Sequence, residues 1–115
     1  MSTSRSIADS AMMQANIIKS QVNNIATLLP ENELYQVRRR MLDTVTDLEN
    51  DVMGGFSLRN KIERVRAFVT VVGRLMECKD YLEYANKTSQ VNVDNVFKGI
   101  DELSNLLLVN SGTLN

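Results

Sequence analysis

Residues 65–78 read Val-Arg-Ala-Phe-Val-Thr-Val-Val-Gly-Arg-Leu-Met-Glu-Cys, and their conformation decides the class of the whole chain. Phe68-Val-Thr-Val-Val72 is rich in β-branched residues and could form a strand. The clearly polar positions Arg66, Thr70, Arg74 and Glu77, however, fall three and four residues apart, as they do on one narrow stripe of a helix. Helical spacing continues on both sides, so the segment is read as part of a third helix, about Leu58 to Ala85, with Ser57 as its N-cap.

Working outward, the preceding segment, about Glu31 to Met53, repeats apolar residues at Leu34, Val37, Met41, Val45, Leu48 and Val52. Gly54-Gly55 supplies a left-handed helix end. Pro30 closes the segment before it and suits the first turn of the one after it. Upstream, Ala8, Ala11, Ala15, Ile18, Val22, Ile25 and Leu29 mark one seam of a long first helix, about Ile7 to Leu29, with Ser6 as cap and Asp9 facing the positive helix end. Downstream, Asn92 caps a fourth helix, about Val93 to Val109, with Val93, Val96, Phe97, Ile100, Leu103 and Leu107 inward. Short connections between four helices predict an all-α fold, an antiparallel up-down-up-down four-helix bundle. The single domain spans 7–109, between flexible ends at 1–6 and 110–115.

Composition narrows the function. The chain has 115 residues, 43% of them hydrophobic, with one Cys, no His and no Trp. No run approaches the ~20 apolar residues of a membrane span. A disulfide framework and a Cys-based zinc site are excluded, and the commonest proton shuttle and metal ligand is missing. Non-catalytic binding is therefore expected, with no cofactor, no metal and no small-molecule substrate. The N-terminus lacks the apolar plug of a signal peptide, which predicts a cytoplasmic protein with Cys78 reduced. Net charge is −1, but residues 38–79 carry +3 and residues 80–115 carry −3.

The second and third helices resemble a family of small four-helix bundles. It includes the proteins encoded in intervening sequences of 23S ribosomal RNA genes and the accessory variability proteins of diversity-generating retroelements. The family's second helix follows a proline, carries a nearby Glu and ends in an Asn-Ile-Ala-Glu-Gly-like stretch. The equivalents here are Pro30, Glu33 and Asp51-Val-Met-Gly-Gly55. Its third helix carries a Gly-Ser-Leu-x-Glu-Leu-like stretch and an Ala about eight residues after the Glu. Here these read Gly73-Arg-Leu-Met-Glu77-Cys78, then Leu82 and Ala85. Asp51 replaces the family's Asn, Gly54 its Glu and Arg74 its Ser. The resemblance implies a bundle, a ring-like homo-oligomer with a pentamer favoured, and an accessory role beside a reverse transcriptase and its structured RNA.

Candidate interaction residues follow from the helix faces. In a hairpin turning near Gly55, Arg40 faces Thr70, with Arg66 and Arg74 a turn to either side. Arg39, Arg40, Arg66 and Arg74 would then form one rim for RNA or an acidic partner, with Arg38 and Arg59 peripheral. Alternatively they are a solvated face with local pairs such as Arg40–Asp43, Arg59–Glu63 and Arg74–Glu77. Tyr35, Tyr81 and Tyr84 could stack on bases, or pack at helix ends. Glu49, Asp51, Glu63, Glu77 and Asp80 read as solvent-facing, and Cys78 as a small hydrophobe.

The third helix is apolar around most of its circumference, as a helix covered on more than one side is. Phe68, Val71 and Leu75, together with the off-seam Met13, Ile17 and Leu28 of the first helix, therefore predict an oligomer interface. Gly73 in a helix interior predicts a close helix crossing. The functional expectation is a homo-oligomeric scaffold that binds a macromolecular partner, with a protein-only helical adaptor as the alternative.

Overall fold

The computed structural model describes residues 3–30 and 35–111, with side chains described for 7–30 and 35–110. Five helical segments and no strand occur among the described residues: α1 (Thr3–Thr27), α2 (Tyr35–Thr46), α3 (Leu48–Ser57), α4 (Lys61–Ser89) and α5 (Asp94–Ser111). α2 and α3 continue one another across Asp47, whose carbonyl accepts from the Asp51 N–H at 2.8 Å. Four helical rods therefore pack as one bundle, 47 × 22 × 17 Å. The 29-residue α4, about 43 Å long at 1.5 Å per residue, sets the long dimension.

Each rod meets two neighbours. α4 packs on α2–α3 and on α5, and α1 packs on the same two partners, so α1 and α4 occupy opposite corners. The core between them is built from the expected seams: Ala11, Ala15, Ile18, Val22, Ile25 and Leu29 of α1, Met41, Val45, Leu48 and Val52 of α2–α3, and Val96, Ile100, Leu103 and Leu107 of α5. From α4 it takes Phe68, Val71, Leu75, Cys78, Leu82 and Ala85.

Several helix ends differ from the sequence reading. α1 already includes Ser6, so that residue does not cap it. Its C-terminus tightens before Pro30, with Leu28 N–H donating to the Ile25 carbonyl at 3.0 Å. The proposed start of the second helix at residues 31–34, with Glu33, lies outside the described residues. The chain stays helical through Gly54 and Gly55, and neither has a positive φ. Gly55 is instead the floor on which the Phe68 ring lies. The turn falls at Leu58–Asn60, where Asn60 rather than Ser57 caps α4 by accepting from the Glu63 N–H at 3.0 Å. The left-handed residue is Gln90 (φ 54°), which ends α4 by donating to the Asn86 carbonyl. Asn92 accepts from the Asp94 N–H at 2.9 Å and so caps α5 as expected. α5 continues through Asn110 to Ser111.

Moving the turn from Gly55 to Leu58–Asn60 shifts the register between α2–α3 and α4. Thr44 lies beside Cys78, Asp51 beside Arg74 and Gly55 beside Phe68. Arg40 consequently shares a groove with Glu77 and Tyr81, two to three turns along α4 from the Thr70 position expected for it.

Candidate functional site

The groove between α2 and α4 is lined by Arg40, Asp43 and Thr44 from one side and Arg74, Glu77 and Tyr81 from the other. These residues line one furrow because i, i+3 and i+4 positions share a helix face. Arg74 donates to Asp51 Oδ2 at 3.0 Å, so its charge is matched within the chain. The Tyr81 hydroxyl donates to Glu77 Oε1 at 3.4 Å. Two guanidinium groups thus face two carboxylates in the groove, a third carboxylate holds one of them, and no positive concave surface results.

The four arginines expected to form one rim are therefore divided. Arg40 and Arg74 line the groove, while Arg39 lines a separate depression with Tyr35, Arg38, Leu42 and Asp43. Arg66 lines neither; it sits two turns from Arg74, about 12 Å along α4. The continuous basic rim expected from the sequence is corrected by the register shift.

The expected oligomer interface is also divided. Phe68, Val71 and Leu75 are buried in the chain's own core and are not available to a second copy. Met13 and Ile17 of α1, and Leu28 just past its end, are exposed on the corner opposite α4. Met53 of α3 is exposed as well. On α4, besides Tyr84 toward its C-terminal end, Ile62, Val69 and Met76 are exposed, on the side away from its core seam. Their seven-residue spacing was present in the sequence but could not be separated there from the buried seam beside it.

Beneath Thr44, in the core, Cys78 is buried, a free thiol pushed up to about 11, first by burial and further by Glu77, while the Thr44 hydroxyl pulls the other way. A thiol held protonated at neutral pH is a weak nucleophile. Among the described residues, no group of three or more His, Cys, Asp or Glu side chains could hold a metal ion. None of the helices described is long and apolar enough to cross a membrane.

One buried charge escaped the sequence reading. Arg64 is inside the protein, and its Nη1 donates to the Leu58 carbonyl at 3.1 Å, tying the start of α4 to the preceding turn. Its position four residues before Phe68 on the core seam was the available signal.

Fold and surface together define a small all-helical bundle with a charge-balanced groove on one side and an apolar outer face on α4. No family model, curated protein or solved structure matches the chain.

Proposed function

We propose that the protein is a non-catalytic, self-associating helical adaptor whose macromolecular partner is another protein. The observation that carries this reading is the apolar outer face of α4, left uncovered by the chain's own helices. Contiguous exposed apolar surface marks protein contact. The pairing of Arg74 with Asp51, and the presence of the carboxylates Asp43 and Glu77 in the groove that Arg40 and Arg74 line, favour a protein partner over RNA, whose binding needs unmatched positive charge. We also propose an up-down-up-down, antiparallel order of the rods. The succession of Thr44–Cys78, Asp51–Arg74 and Gly55–Phe68 along one seam supports it. A reverse transcriptase is the protein partner implied by the resemblance to the retroelement accessory family.

Fluorescence anisotropy with a labelled structured RNA, at about 50 and 200 mM salt, tests the choice of partner. The adaptor reading expects no RNA binding by the intact assembly at either salt concentration. RNA binding that falls steeply with salt and is lost in Arg40→Glu/Arg74→Glu would overturn it in favour of an RNA-binding scaffold. Light scattering measures the assembly itself and separates a pair from the five-membered ring that the resemblance implies.

A further inference from the structure

α4 carries two apolar seams, and the bundle uses one of them. The inner seam is Phe68, Val71, Leu75, Cys78, Leu82 and Ala85. About a third of the way round the helix, Ile62, Val65, Val69, Val72 and Met76 follow one another at intervals of three and four residues, with Val72 at the inner edge packing against the core. Ile62, Val69 and Met76 are 65, 53 and 38% exposed, and Val65 and Val72 are half-buried. This outer seam is about 21 Å long. A narrow stripe of that spacing is what one helix presents to another. Leu108 widens it. Asp101 bonds Lys79 across the α4–α5 seam, and seven residues on from Asp101, level with Val72, Leu108 is also exposed.

The charges at the two ends of the seam select its occupant. Arg59, Lys61 and Arg66 are exposed around Ile62, at the start of α4, against a single exposed carboxylate, Glu63. Glu77 and Asp80 are exposed beyond Met76, as is Glu83, whose charge Lys87 matches. The two lysines at that end are engaged within the chain: Lys79 with Asp101 at 2.9 Å and the Phe97 ring at 5.1 Å, and Lys87 with Glu83 at 3.6 Å. A face that is basic at one end and acidic at the other complements itself when turned end for end. Parallel pairing would set Arg66 on Arg66.

We propose that the outer seam of α4 binds the same seam of a second copy of this chain, related by a two-fold axis near Val69. Ile62 then meets Met76, Val69 meets its own equivalent, and Glu77 of each copy lies between Arg59 and Arg66 of the other. Gly73 gains a role in this contact. A β-carbon there would have nothing within 4 Å in the single chain, although glycine costs a helix interior about 1 kcal/mol relative to alanine. Its bare backbone lets a second helix approach. The inference rests on the self-association reading above and names the surface that carries it.

The test combines mass, cross-linking and charge exchange on the full chain, with circular dichroism confirming that each variant is folded. In a Cys78→Ala background, Val69→Cys should form a disulfide-linked dimer under a mild oxidant, and Ser20→Cys on the outer side of α1 should not. Glu77→Arg should weaken the dimer about tenfold by light scattering, and Arg59→Glu/Arg66→Glu added to Glu77→Arg should restore it. An assembly that shows no Val69→Cys cross-link and is indifferent to Glu77→Arg would overturn the two-fold α4 contact while leaving self-association standing. A 13.0 kDa monomer at every concentration tested would overturn both.

Discussion

The Phe68 ring lies directly over the α-carbon of Gly55, so close that a β-carbon on Gly55 would come within 2.7 Å of Phe68 Cδ1 and nearer still to Cε1. Phe68 is fully buried and meets Phe56 edge-on, with ring centroids 4.8 Å apart. The contact fixes the height of α3 against α4, and with it the register of every pair along that seam. Gly54, one residue earlier, has nothing within 4 Å of its β-carbon position.

The two adjacent glycines should therefore respond oppositely to alanine. Gly55→Ala forces the Phe68 ring out of its seat and should cost about 1–3 kcal/mol. Gly54→Ala relieves the entropic cost of glycine inside a helix and should add about 0.5–1 kcal/mol. Urea denaturation of both variants checks the pair. Equal effects would mean that Phe68 is not held by Gly55.

Arg64 should behave as a structural residue rather than a surface cation. Its buried guanidinium holds the Leu58 carbonyl at the turn into α4, and Met keeps the length of the side chain without the bond. Arg64→Met should lose about 1.5–3 kcal/mol, the range for a hydrogen bond to a charged group, through a lower urea midpoint at unchanged slope.

Cys78 should make stability fall at alkaline pH. Its thiol is raised by burial from 9.0 to about 11, so between these values the folded state holds a proton that the unfolded state releases. Stability from this group is complete below about pH 9 and declines by up to about 1.4 kcal/mol per pH unit until about pH 11. Cys78→Ala should show a shallower decline across that window than the parent protein, whatever its stability at pH 7. At pH 8 the thiol should react with a disulfide reagent only as fast as the bundle opens.

Lys79 and Arg74 both make ion pairs from α4, yet they should differ in worth. Lys79 bonds Asp101, lies over Phe97 and is 26% exposed, whereas Arg74 is 49% exposed and bonds only Asp51. Lys79→Ala should cost about 1–1.5 kcal/mol, combining the pair with the cation–π contact. Arg74→Ala should cost less than about 1 kcal/mol, and added salt should shrink its effect further.

Much of the interior was legible in the order of residues. Ala11, Ala15, Ile18, Val22, Ile25 and Leu29 recur at a helical period, and all are buried. Met41, Val45, Leu48 and Val52, and Val96, Ile100, Leu103 and Leu107, follow the same rule. One apolar face per helix leaves one way to fold it inward, because any other rotation would strand that face in water. The helical state of residues 65–78 was legible for the same reason, since the period outweighed the β-branched propensity of Phe68–Val72.

Where a helix offered two apolar faces, sequence alone could not choose between them. Phe68 and Val69 are adjacent and both apolar, yet one is fully buried and the other 53% exposed. The positions of α2–α3 and α5 decided which seam of α4 turned inward. The same holds for the turn. Gly54-Gly55 has the composition of a helix end, but a glycine's freedom is a weak local preference, and seating Phe68 needed Gly55 inside the helix. That packing choice carried the turn to Leu58–Asn60, placed Arg40 beside Glu77 and Tyr81, and separated it from Arg66. Local periodicity determined what each helix is. Only packing between helices, which acts among residues far apart in the chain, determined which side chains share a surface.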